Sequence, residues 1–453
     1  MTEPLVPGDP VEASTRAQYG AWMHHGLSAS EGLVSPSSTP DWPDPPTDAV
    51  AWSPWPSGDV APDRLDEALN RGWLVTVAGR DDPGVPIAVK DIIDVAGLPT
   101  HNGTPGGLWR EPAVSAPAWE SVRTAGARCV GKAATHEMAW GIITPQIANP
   151  RAADRITGGS SGGSAACVAS GAAVGALGTD TGGSVRVPAA LCGVVGFRPT
   201  TGTVPSDGVT PICPEQDVVG ALAPGVTTCV AMVERMLAKP LTPPRAGLDG
   251  MRIGVLARVG SLDEAVQRAY DESLRDLERA GATLVECETK LHRMSASVSL
   301  LTMLRSSALQ HAEAVRAAPL SFGGEARALL TLGESLAAYG ELIDSMRRAV
   351  AAETAALYVR DGLDAFVTPT TPCVAPRRGA ESVEFGGRSE PVSAALVRYT
   401  GWAPVTAMPA ISVPVGTATL PAGIQIMAPP HHDATSVRVA LALRGSAAAE
   451  FGA

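Results

Sequence analysis

From Val85 to about Gly225 the chain is crowded with Gly, Ala and Val and carries few charges, the composition of a buried core rather than of a surface. Its densest stretch, Gly158-Gly159-Ser160-Ser161-Gly162-Gly163-Ser164, runs straight into the small-residue segment Ala165 to Ala173, which reads as a helix. Glycines admit unusual backbone angles and close approach, and serines at a helix N-terminus set hydroxyls beside free N–H groups that favour developing negative charge. A flexible Gly/Ser linker shares this composition but would not lead directly into an apolar run of small residues. The block is therefore read as the core of the fold, with this turn inside it.

Ser184 lies twenty-four residues after Ser160, in Gly178-Thr179-Asp180-Thr181-Gly182-Gly183-Ser184-Val185-Arg186-Val187-Pro188. Two glycines before a serine let consecutive N–H groups point at one spot beside its hydroxyl, which is what an oxyanion hole requires. Thr181, Gly182, Gly183 and Ser184 would be the donors, and the opposite charges of Asp180 and Arg186 would pin the turn. Lys90 ends the apolar run Val85-Pro86-Ile87-Ala88-Val89, a short buried strand, and is followed by Ile92 and Ile93. Most lysines are solvated, but desolvation in such a setting can lower an amine pKa toward neutrality and make it a base.

Organisation outside the block is coarser. Residues 1–62 form a Pro/Trp-rich leader. Ser35 to Pro62 is dense in Pro, Ser, Asp and Trp, a composition of turns and extended loop. It is either a loose leader or, given Trp42, Trp52 and Trp55, a strap packed on the main body or on a second copy of the chain, which leaves a homodimer open. Residues 63–453 form the main domain, with its core at 85–225, a variable helical region at about 240–360 and C-terminal strands and helix at 361–445.

Pro243-Pro244-Arg245-Ala246-Gly247 marks a linker or surface loop. A strand (Met251 to Leu256), an amphipathic helix (about Leu262 to Ala280) and a second strand (Ala282 to Glu286) follow. From about 294 to 360 the spacing is helical, with Gly323-Gly324 as a break. Short strands return at Ala365 to Thr368, Ala410 to Val415 and Gly423 to Met427, before a final helix near Thr435 to Arg444. Strands alternating with helices favour one α/β body whose sheet is closed by the C-terminal strands.

Composition excludes several functions. A net charge of −11 leaves little excess for a phosphate-neutralising face, so nucleic acid is not an expected partner. The seven cysteines are odd in number, scattered and without a C-x-x-C pair, which disfavours structural zinc and a disulfide framework. Ala165 to Leu177 is too short and too broken to span a bilayer. The acidic, Pro-containing start has no signal-peptide pattern, and the reading is a cytoplasmic protein.

Val85 through Asp91, Gly158 through Ser164 and Gly178 through Pro188 resemble the three hallmark segments of the amidase signature family. The resemblance continues through Leu191-Cys192-Gly193-Val194-Val195-Gly196-Phe197-Arg198-Pro199-Thr200 and, more weakly, Thr368 to Pro372 and Pro409 to Pro414, covering roughly residues 65 to 445. It implies an α/β fold, a single large domain with a mixed central β-sheet enclosed by α-helices. It also implies a Ser-Ser-Lys triad: Ser184 as nucleophile, Ser160, usually in a cis-peptide, as relay, and Lys90 as base. The activity implied is hydrolysis of the carboxamide C–N bond of a small-molecule amide through an acyl-Ser184 intermediate, with no metal and no cofactor. Ala428-Pro429-Pro430-His431-His432 departs from the family's usual Gly-Arg-Pro-like turn, and the leader has no counterpart there; both departures bear on substrate rather than on reaction.

Three other readings compete. Gly158-Gly159-Ser160-Ser161-Gly162 fits the G-x-S-x-G elbow of an α/β-hydrolase, but that elbow must follow an apolar strand and here follows Pro150 to Thr157. The chain could be the A-type subunit of a tRNA-dependent amidotransferase whose partner holds the RNA, or a pathway-specific acyl transferase passing the acyl group to an amine. His136 suggests a metal site but no H-E-x-x-H follows it. It is read as structural or as lining the substrate funnel with Met138 and Trp140.

Overall fold

The computed structural model describes residues 9–28, 40–46, 50–106, 109–243, 247–416 and 420–443. Ser35 to Thr39 of the leader, Pro244 to Ala246 of the expected linker and Arg444 lie outside the described residues.

Helix α1 (Pro10–Ser28) precedes α2 (Pro62–Asn70), β1 (Leu74–Val77), β2 (Val85–Lys90), α3 (Pro117–Thr124) and β3 (Ala127–Ala133). The central block continues with α4 (Gly162–Ala169), β4 (Gly175–Asp180), α5 (Arg186–Cys192), β5 (Val195–Arg198), β6 (Val218–Ala223) and α6 (Val226–Leu237). Then come β7 (Arg252–Leu256), α7 (Glu264–Arg279), β8 (Thr283–Cys287) and the long helices α8 (Leu291–Ala317), α9 (Gly324–Ser335) and α10 (Gly340–Asp361). The chain closes with β9 (Ala365–Pro369), a hairpin of β10 (Ser382–Phe385) and β11 (Arg388–Pro391), short helices α11 (Val392–Val397) and α12 (Trp402–Val405), β12 (Ala410–Val415), β13 (Ala422–Met427) and α13 (Asp433–Ala442).

Eleven strands form one mixed sheet in the order β1-β3-β2-β4-β6-β5-β12-β13-β9-β7-β8. Parallel pairing is confined to its two sides, where β2 lies between β3 and β4, and β7 between β8 and β9, while the edge strand β1 runs antiparallel to β3. Parallel neighbours require crossover connections, and helices cover both faces, so β2, β4 and β9 are buried along their whole length. This is why Val85 to Val89 reads as an uninterrupted apolar run. The middle of the sheet, from β4 through β6, β5, β12 and β13 to β9, is antiparallel.

Three expectations change. The C-terminal strands do not close an edge: β12 and β13 lie at the centre, between β5 and β9, and join the two parallel flanks. The helix after the serine-rich turn starts within the glycines, at Gly162, where the chain already has helical geometry. The helical region breaks twice, at Ala318 to Gly323, with Gly323 as the N-cap of α9, and at Leu336 to Tyr339 before α10.

The leader contains a helix that sequence periodicity did not reveal. α1 packs on α8 and α9. The buried Arg327 of α9 forms ion pairs with Asp9 and, at 3.2 Å, with Glu12. Further along, Trp42 meets Tyr358 edge-on at 5.8 Å, and the Arg235 guanidinium lies 4.5 Å from the Trp52 ring. The Ser53 N–H donates to the fully buried Glu234 at 2.6 Å.

Candidate active site

Lys90 is the last residue of β2, and its parallel neighbour β4 carries Thr179 and ends at Asp180. The amine is fully buried and donates to Ser160 Oγ at 2.7 Å and to Thr179 Oγ1 at 2.8 Å. Burial pulls its pKa down to about 7, against the opposing pull of the Asp180 and Asp217 carboxylates. Half of such amines are neutral near pH 7, and a neutral amine can accept a proton from the hydroxyl it touches.

The Ser160 turn is held from several sides. The Gly159–Ser160 peptide bond is cis. The Ser160 carbonyl accepts from the His136 N–H at 3.1 Å, and the Gly158 carbonyl accepts from Thr144 Oγ1 at 3.0 Å. The Ser161 N–H donates to the Ser184 carbonyl at 3.2 Å, joining the two serine loops through their backbones. The α/β-hydrolase alternative finds no support here, because Ser160 follows irregular chain whereas Ser184 follows the strand β4.

After β4 the chain turns through Thr181 to Ser184 and enters α5. Gly183 has φ near +130°, and a Cβ there would lie 2.4 Å from Thr400 Oγ1, so glycine is required. Asp180 organises the turn. Its carboxylate accepts from the Gly183 N–H at 3.0 Å and the Val185 N–H at 3.2 Å, and from Arg186 Nε at 3.0 Å and Nη2 at 2.8 Å. Both side chains are fully buried. Burial alone would raise the Asp180 pKa, yet Arg186, Arg198 and the turn N–H groups hold it at about 2. The opposite charges at 180 and 186 thus form a buried bidentate pair.

One expected oxyanion donor is corrected by this geometry. The Gly183 N–H is turned to Asp180 and is not available to a substrate. Among the described residues, the N–H groups of Thr181, Gly182 and Ser184 have no protein acceptor. Gly182 and Ser184 open onto a pocket walled by Trp140, Ile142, Leu300 and Met303, with Tyr19 and Trp22 arriving from α1. None of the described side chains lining it is charged.

Of the three residues expected in the funnel, only Trp140 lines this pocket. His136 is buried and pairs through Nε2 with Glu325 of α9 at 3.2 Å, tying the Ser160 turn to that helix. Met138 faces a separate cleft beside Arg110 and His311. The seven cysteines are free thiols, and no group of three or more His, Cys, Asp or Glu among the described residues is placed to hold a metal ion.

Sequence reasoning missed three contributors. Thr179 is the second partner of Lys90; its only signal is a hydroxyl next to Asp180 at the end of a strand of small and apolar residues. Asp217 accepts from Thr181 Oγ1 at 2.5 Å and from the N–H groups of Ile212 and Cys213 at 2.8 and 2.9 Å, fixing the start of the turn from another loop. The third is α1, which brings Tyr19 and Trp22 to the pocket.

Residues 83–437, more than half of the chain, match the family model described as Amidase. The chain belongs to the amidase signature family. Its relatives include a mandelamide hydrolase of Pseudomonas putida, 33% identical over 79% of this chain and 77% of that protein. They also include the A-type subunit of the glutamyl-tRNA(Gln) amidotransferase of Acidobacterium capsulatum, 33% identical over 80% of this chain and 84% of that protein. A crystal structure of an amidase superposes with a TM-score of 0.75 at 29% identity, covering 84% of this chain and 94% of that one. This chain is an amidase-family hydrolase of amide C–N bonds. Among the described residues no helix is long and apolar enough to cross a membrane.

Proposed function

We propose that this family member hydrolyses small, uncharged carboxamides by a Ser-Ser-Lys mechanism with an acyl-Ser184 intermediate. The observation that carries the reading is the pairing of a buried, desolvated Lys90 with Ser160 beside a pocket that has no charged wall. Neutral Lys90 accepts the Ser160 proton as Ser160 takes that of Ser184, whose oxygen attacks the carbonyl carbon. The carbonyl oxygen becomes an oxyanion facing the N–H groups of Thr181, Gly182 and Ser184, each worth on the order of 3 kcal/mol to the barrier. The proton returns along the same relay to the nitrogen as the C–N bond breaks. Water then repeats the sequence on the acyl-enzyme.

The uncharged pocket separates this reading from a second one supported by the amidotransferase relative, in which the chain is an A-type subunit dependent on a partner. The side-chain carboxamide of a free amino acid would bring ammonium and carboxylate groups, and burying them unpaired is expensive. The same pocket suits a neutral amide. Whether an amine can replace water as acyl acceptor is read from the products.

The test uses the purified chain alone, with ammonia release measured over a panel of neutral and charged carboxamides and with added amines. Turnover of neutral amides is expected, together with a fluorophosphonate label on the peptide carrying Ser184. A chain inert without a partner, or a label on Ser160 or Ser161, would overturn the proposal.

A further inference from the structure

The pocket at Ser184 is completed by residues far outside the segment that defines the family. Tyr19 and Trp22 lie on α1, more than sixty residues upstream of position 83, where the family match begins. Their rings stack with centroids 6.1 Å apart, Tyr19 buried and Trp22 half-buried. The same pocket is lined by Trp140, itself stacked on Phe322 at 6.3 Å, and by Leu300 and Met303 of α8.

α1 is attached by specific contacts rather than by chain continuity. Arg327 holds Asp9 and Glu12 at its beginning, and Gln18 Nε2 donates at 2.8 Å to Ser393 Oγ, another pocket residue. Gly26 allows its far end to close on α8, where an added Cβ would lie 3.2 Å from Leu301 Cδ1 and from Ser297 Cβ. The helix is thus pinned at both ends and in the middle, with its aromatic pair presented to the site.

We propose that α1 is a specificity-determining wall that selects carboxamides bearing an aromatic or bulky apolar group, with Tyr19 and Trp22 as the contacting residues. Three aromatic side chains, Tyr19, Trp22 and Trp140, lining one uncharged pocket offer apolar area to a flat group, and such a group buries area against them that acetamide does not. Discrimination by an apolar wall of this size is expected to reach one to two orders of magnitude. The inference rests on the reading of Ser184 as the nucleophile of an amidase.

The experiment compares kcat/KM for phenylacetamide and acetamide in the full chain and in Trp22→Ala, with circular dichroism as the folding control. The phenylacetamide-to-acetamide ratio is expected to fall about 10- to 100-fold, mainly through KM for phenylacetamide. Trp22→Leu keeps an apolar side chain in the helix contact and should fall part of the way, so a misfolded alanine variant does not remove the test. A ratio unchanged within about twofold, whether both activities drop together or neither moves, would overturn the wall. If the wild-type chain cleaves neither amide, the proposed function fails while the wall is still read by calorimetric binding of phenylacetamide to Ser184→Ala. Binding weakened about tenfold or more by adding Trp22→Ala supports the wall, and binding unchanged by it, or absent with Trp22 in place, overturns it.

Discussion

The serine turns of the central block and the helical wall over the pocket are built on opposite principles. Around Ser160 and Ser184 the backbone itself is the device: Gly183 sits where a side chain cannot, and Asp180 commits its carboxylate to two N–H groups of the turn as well as to Arg186. In α1, α8 and α9 ordinary helices carry exchangeable side chains, and the contacts that matter are the identities of Tyr19, Trp22, Leu300 and Met303. The first region tolerates almost no change because its buried polar groups are tied into one network, Asp180 to two turn N–H groups and Arg186, and Lys90 to Ser160 and Thr179, so altering one member leaves others unpaired. The second can be altered residue by residue, which suits a surface that chooses a substrate rather than one that performs the chemistry.

The sharpest way to break this contrast is at Lys90. Lys90→Arg should lower kcat by about three orders of magnitude or more, because a guanidinium cannot act as a base at working pH. In the wild-type chain kcat should rise with pH and level off above about 7, since the proposed base is the neutral amine, which dominates above that value. The lowered pKa also bears on stability. The unfolded chain binds this proton more readily, so the penalty grows as pH falls from 10.5 toward about 7 and is full below it. Lys90→Met should therefore abolish turnover without lowering the melting temperature at pH 6. Near-normal turnover in Lys90→Arg, measured from pH 5 to 10, would remove the proposed proton path.

Asp180→Asn comes next. It leaves Arg186 buried beside a neutral amide and converts an acceptor-only group into one that also donates, in a place where the turn offers only donors. Breaking a buried pair of this kind costs about 3–5 kcal/mol. Chemical denaturation should show a loss of that size together with lost activity; full stability would mean that the turn is held by Asp217 and Arg198 instead.

The smallest effect is expected in the wall, at Gly26→Ala. Alanine gains roughly 1 kcal/mol in helix propensity, while the 3.2 Å approach to Leu301 and Ser297 asks those side chains to give slightly. The net change in unfolding free energy should stay within about 1 kcal/mol. A loss as large as that of Asp180→Asn would show the wall to be as tightly specified as the serine turns, and the contrast would fall.

Much of the proposed reaction centre was written in local sequence. Lys90, Ser160 and Ser184 sit in short segments whose composition reports their own backbone: an apolar run that must be a buried strand, and glycine pairs that must be tight turns. The expected strands and the βαβ unit appear where apolar periodicity placed them, within a residue or two. What periodicity cannot report is which strands become neighbours, so the central position of β12 and β13 came only with the packed sheet. The direction of a single N–H is likewise set by its nearest acceptor, and only the folded turn shows Gly183 donating to Asp180. The same limit hid α1. Its pocket contacts join residues 19 and 22 to 300, 303 and 393, separations at which local propensity carries no information. Sequence by itself determined the groups that could do the chemistry, because burial and turn geometry are encoded over a few residues. Tertiary structure alone decided what surrounds them, because that depends on chain segments meeting hundreds of residues apart.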